Sequence, residues 1–87
     1  MNTRKLSVEK VELLKEVVSK YLPDAARILE EEPEKWLSAD RTKVRDAIGE
    51  ELAATGFDAN YAPTPRGQLL ESLIDFVNRL ELLPKAN

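Results

Sequence analysis

Apolar residues along the chain fall into groups separated by prolines and glycines, and within each group the spacing is helical. Val11, Leu14, Val17, Val18, Tyr21 and Leu22 recur at intervals that put side chains on one face of an α-helix. This predicts a first helix from Ser7 to Leu22. Ser7 offers an N-cap hydroxyl, and Leu6 and Val11 have the spacing of a hydrophobic staple. Pro23 stops the helix, because it lacks an N–H and drives Leu22 out of the α region. Ala25, Ile28 and Leu29 give a narrow apolar face to a second piece, 24–32. Pro33 then opens a short piece, 33–37, or kinks one continuous helix. The segment "SADRTKVRDAIGEELAATG" predicts the next helix, capped by Ser38 or Asp40. Val44, Ala47, Ile48, Leu52 and Thr55 share its face, and Gly56 takes the left-handed position after its end.

The last helix carries the densest pattern. Thr64 and Pro65 form an N-cap followed by a first-turn proline. Leu69, Leu73, Phe76, Leu80 and Leu83 make one row, Leu70, Ile74 and Val77 a second, and Pro84 ends the helix. Together the rows cover nearly half the circumference. They predict the central helix of a monomeric bundle. The competing reading leaves Leu80 and Leu83 spare, as a dimer seam or a groove for a partner helix. No strand alternation, repeat or low-complexity tract interrupts the pattern. The expected fold is all-α, a four-helix bundle-like domain with room for a short fifth helix. Residues 1–87 form one domain, with 1–6 and 84–87 as frayed tails.

One stretch stands apart: "GFDANYAPTPRGQ", residues 56–68, holds two of the three glycines and two of the five prolines. Helix boundaries explain Gly56, Thr64 and Pro65, and Phe57 falls where a residue folds back on the preceding helix. "DANYAP" and Gly67 are left over. A glycine in a first helical turn gains nothing intrinsically, so a backbone or a ring, Tyr61 or Trp36, is expected against it. Internal packing is preferred to a partner there, since a thin core needs its aromatics inside. Asp58 and Asn60 begin like a calcium loop. Ala62, Pro63 and Leu69 then stand where that loop needs a ligand, a glycine and a glutamate, so the motif fails.

Composition narrows the chemistry. The chain has 87 residues, no cysteine and no histidine, which removes disulfides, thiolate metal sites and the usual general base. Thirteen basic and 16 acidic side chains give a net charge of −3. The signs are interspersed, unlike the basic stripe of a nucleic-acid binder. No apolar run is long enough to span a membrane, and the N-terminus has no signal-peptide core, so a cytoplasmic location is expected. The carboxylate pairs Glu50/Glu51 and Glu71/Asp75 have no nucleophile or phosphate loop beside them. Arg41, Lys43 and Arg45 form the one basic cluster, interrupted by Asp40, Asp46, Glu50 and Glu51. Glu30, Glu31, Glu32 and Glu34 form an acidic run that is either a solvated helix end or a docking patch.

"ESLIDF" (71–76) resembles the serine motif of acyl carrier proteins. There the serine opens a helix and further helices follow, whereas Ser72 lies inside the last helix. "GFDANYAPTPRGQLLESLIDFVNRL" resembles the C-terminal part of small uncharacterised bacterial helical proteins with a "GFD…G..LE.LID" pattern. That resemblance covers about 25 residues, carries no chemistry and implies only a bacterial helical domain. Size, acidity and the tyrosine- and proline-containing turn are also similar to colicin-type immunity proteins. Those carry a tyrosine pair in the turn and a more acidic surface.

The reading that follows is a non-enzymatic helical protein acting on another protein, or on itself. Trp36, Tyr61, Arg66, Leu80 and Leu83 are the candidate contact residues. No catalytic residue, metal or cofactor is expected, and a monomer is preferred to a homodimer. The alternatives are an immunity- or antitoxin-like neutraliser and a DNA-binding regulator.

Overall fold

Ser7 opens the first helix as the sequence predicts: its hydroxyl accepts from the Lys10 backbone N–H at 3.2 Å. The computed structural model describes residues 6–80. In chain order it contains α1 (Val8–Tyr21), two 3₁₀ segments (Pro23–Glu30 and Pro33–Lys35), α2 (Ser38–Thr55) and α3 (Pro65–Leu80). Among the described residues there is no strand, only an isolated bridge between Phe57 and Pro63, and the all-α expectation holds.

Local chemistry sets each boundary. Leu22, ahead of Pro23, leaves the helical region at φ −132°, ψ 53°, as a residue before proline must. The expected second helix forms 3₁₀ turns instead, with Ala25 outside helical geometry. Nine residues between Pro23 and Pro33 are too few to sustain an α-helix without strong packing. At the start of α2 neither Ser38 nor Asp40 is the cap. Leu37 occupies that position, and Asp40 reaches back to accept from its N–H at 3.3 Å. Asp40 is buried, and its other oxygen accepts from Arg27 at 3.2 Å. One carboxylate thus serves the helix start and ties the first 3₁₀ segment to α2.

The core draws on every element. Val17 and Val18 of α1, Ile28 of the first 3₁₀ segment, Val44 and Ile48 of α2, and Leu70, Leu73 and Val77 of α3 are all fully buried. Leu6, expected to fray, is buried with them, as its pairing with Val11 requires; residues 1–5 and 84–87 lie outside the described residues. Helix α1 packs on the first 3₁₀ segment, α2 and α3, and α3 packs chiefly on α2 and then on α1. The last helix is thus consumed inside the domain, as expected of a bundle helix, with α2 and α1 as its chief neighbours. Its two rows also merge: Leu70, Leu73, Val77 and Leu80 form one buried stripe, with Leu69, Ile74 and Phe76 half-buried on its flanks. No described helix is long and apolar enough to cross a membrane.

Candidate functional site

Gly56 and Gly67 face each other where the end of α2 meets the start of α3. A Cβ on Gly67 would lie 2.8 Å from the Gly56 carbonyl carbon, 2.9 Å from its Cα and closer still to its oxygen. The expectation of a backbone or ring against Gly67 is met by a backbone. Gly56 itself has φ −86°, ψ −7°, so it is not left-handed. It must be small because Leu52 and Gly67 occupy the space of its side chain. Thr64 closes the crossing. Its N–H donates to the Gly56 carbonyl at 2.9 Å, and its hydroxyl accepts from the Gly67 N–H at 2.9 Å, which is the predicted cap.

The intervening residues 57–63 are built around Asp58. Its Oδ1 accepts from the Asn60 N–H at 2.8 Å and the Ala62 N–H at 3.0 Å. Its backbone N–H donates to Ala62 and its carbonyl accepts from Tyr61, each at 2.9 Å. Asp58 thus organises the loop with the ligand atoms a calcium site would have needed, and the described residues contain no cluster of three potential metal ligands. Tyr61 has φ 64°, the left-handed conformation that costs a side-chain-bearing residue about 1–2 kcal/mol. It is 86% exposed. The expectation that Tyr61 packs inside is therefore corrected, because the turn's hydrogen bonds point the ring outward. Phe57, expected to fold back on α2, is 41% exposed. Replacing Tyr61 by glycine should relieve the left-handed strain and raise stability by about 0.5–1 kcal/mol in urea unfolding. A loss of stability would mean that the ring packs against the protein.

An ion cluster forms around one buried carboxylate. Glu51, 1% exposed, accepts from Lys20 and from the Tyr21 hydroxyl on one oxygen, each at 2.9 Å. On the other it accepts from Arg66 at 2.7 Å and Thr55 at 3.1 Å. Arg66 also donates to Glu16 at 2.6 Å, so α1, α2 and α3 converge on one carboxylate. Arg66 first, then Lys20, hold the Glu51 carboxyl down to about 2 from an ordinary 4.5, against the desolvation that would raise it. The hydrogen bond to Glu51 in turn raises the pKa of the Lys20 amine and the Tyr21 hydroxyl. The unfolded chain binds the Glu51 proton more readily than the folded one. The stabilisation is therefore complete above about pH 4.5 and lost as pH falls toward 2. With half-exposed partners screened by water, it amounts to on the order of 2–3 kcal/mol. Urea midpoints measured from pH 7 to pH 2 should fall less steeply for Glu51→Gln than for the wild type; equal slopes would remove Glu51 from the account.

The other sequence candidates are dispersed. Trp36 is in the core at 3% exposure, donating from its indole N–H to the Ile28 carbonyl at 3.0 Å, which corrects its assignment to a partner surface. Leu80 is buried at 8% rather than spare, because the merged stripe turns it inward; Leu83 lies outside the described residues. Arg66 is committed to the ion cluster. Of the basic cluster, Arg41 donates to the Trp36 carbonyl at 2.8 Å and Arg45 to Asn78 at 3.1 Å, leaving Lys43 as its exposed member. In the acidic run Glu31 pairs with Arg27 at 3.4 Å. Of the carboxylate pairs, Glu50 is exposed where Glu51 is buried, while Glu71 and Asp75 are both exposed on α3.

The segment that joins α2 and α3 is low in charge. A third of the chain is charged (33%), yet across residues 52–65 only Asp58 is. Both N–H groups bonded to its Oδ1 lie inside the loop. Ala53, Ala54, Phe57, Ala59, Tyr61 and Pro63 are exposed in this region. That low charge density is a signal readable from the chain itself. No family model matches the chain, and no curated protein or solved structure matches it either.

Proposed function

We propose that the chain is a non-enzymatic binding module that engages another protein through the 57–63 loop, with Tyr61 as the anchor. The observation that carries this is Tyr61 itself: 86% exposed and held at φ 64° in a loop whose one carboxylate, the exposed Asp58, bonds the loop's own backbone through Oδ1. Strained, exposed aromatics on an internally bonded turn suit recognition, because little conformational entropy is lost on binding. Interface centres are enriched in tyrosine and depleted of charge. Burial of Leu70, Leu73, Val77 and Leu80 leaves no spare apolar stripe on the described part of α3, which favours a monomer over a homodimer. A bacterial, cytoplasmic setting is part of the proposal.

Neutralisation of a toxin-like partner is one form this binding could take. The DNA-binding reading has less support, since two of its three basic residues are turned to their own chain. The test is capture from a lysate of the native host by immobilised wild type and by Tyr61→Ala, with mass spectrometry of what is held. A protein retained by the wild type and lost from an equally stable Tyr61→Ala supports the reading, and identical capture sinks it. Retention should persist at about 0.5 M salt, because the proposed anchor, the Tyr61 ring, is uncharged. Docking through the acidic run would be screened under the same conditions.

A further inference from the structure

Two glycines let α2 and α3 approach closely, but they supply no side chains to lock the angle at which the helices meet. The ends of the 57–63 loop are joined by the Thr64–Gly56 hydrogen bond and the Phe57–Pro63 bridge. The angle at which the helices meet orients that joined loop and with it Tyr61. Besides Thr64, whose hydroxyl reaches the Gly56 carbonyl at 3.2 Å, the side chain that spans the crossing is Arg66. From the first turn of α3 its Nε donates to Thr55 Oγ1 at 3.0 Å, in the last turn of α2. Its Nη2 reaches Glu51 at 2.7 Å and Glu16 at 2.6 Å. Thr55 is held in turn, donating to Glu51 at 3.1 Å, while Lys20 and Tyr21 hold the other Glu51 oxygen.

We infer that Arg66 and Glu51 are positioning residues for the recognition loop, clamping the helix ends between which Tyr61 is presented. The importance of the clamp rests on the binding reading above; its existence does not. Arg66, a candidate contact residue on sequence alone, takes a different role here, bonded across the helix ends from a partly exposed position. A fork-shaped guanidinium suits that role, because it can bond Thr55, Glu51 and Glu16 at once, whereas an ammonium offers a point charge without that planar geometry.

The test is backbone amide hydrogen exchange on the intact chain, resolved by residue, for the wild type, Arg66→Met and Arg66→Lys. Arg66→Met keeps the aliphatic length and removes the fork. The amides of Asn60 and Ala62, bonded to Asp58, and of Thr64, bonded to Gly56, should exchange about tenfold faster in Arg66→Met. Those of Leu73 and Val77 in the middle of α3 should change by less than about twofold. Arg66→Lys should recover part of the loop protection. Faster exchange everywhere in the same proportion would make Arg66 a general stabiliser, and unchanged loop exchange would mean that the loop holds itself; either result overturns the inference. Exchange needs no partner, so it can succeed or fail separately from the Tyr61→Ala capture experiment.

Discussion

Gly67→Ala should destabilise the protein by at least about 3 kcal/mol, a large share of what so small a domain possesses. Two effects oppose each other. Alanine is the better helix former by about 1 kcal/mol, which favours the change. Against it, the new methyl would sit 2.8 Å from the Gly56 carbonyl carbon and 2.9 Å from its Cα. These are backbone atoms that no rotamer change can move aside, so the helices must separate. Separation would pull Arg66 from Thr55 and Glu51 and break the Thr64–Gly56 hydrogen bonds. The clash wins for that reason. Gly49→Ala is the control. It lies inside α2, and a methyl added there would have nothing within 4 Å, so the propensity term acts alone and should add about 0.5–1 kcal/mol. Urea denaturation of the two variants should shift in opposite directions. A Gly67→Ala protein as stable as the wild type would mean that the helix ends do not meet as described.

Leu73→Ala should cost about 3–5 kcal/mol. Leu73 is fully buried and lies between Leu70 and Val77, both also fully buried. A chain of 87 residues has few other layers to absorb the cavity. Relaxation is hindered because α3 is fixed on α2 at its first turn by the glycine crossing. Ile74→Ala, on the half-buried flank, should cost less, about 1–2 kcal/mol. A loss below about 1 kcal/mol at Leu73 would place the stripe on the surface of the monomer and revive the dimer reading.

Helix positions are legible in the chain because their signals are local. Ser7, Pro23 and the Thr64–Pro65 pair act through their own backbone, and each does in the structure what its chemistry predicts. Gly67 announces a close approach, since a glycine there gains nothing for the helix. That the neighbour is Gly56 is not legible: their sequence separation has no helical period, and only the path of the loop brings them together. The same limit applies to Glu51. In the chain it is one acid among 16, and its burial depends on three helices meeting. The left-handed residue is expected at Gly56 and found at Tyr61. A glycine after a helix serves two purposes, positive φ or close contact, and the pattern does not tell them apart. Average behaviour puts the aromatic of the loop inside, and four hydrogen bonds centred on Asp58 turn it out.

The central claim is that recognition occurs at the loop between α2 and α3. Amide chemical-shift mapping of the isotopically labelled chain with its captured partner tests it most directly. Perturbations are expected to concentrate at Ala53, Ala54, Phe57 and Asn60 to Ala62, with the middle of α1 unaffected. Perturbations centred instead on Arg41, Lys43 and Arg45, or on Glu30 to Glu34, with the loop silent, would contradict it.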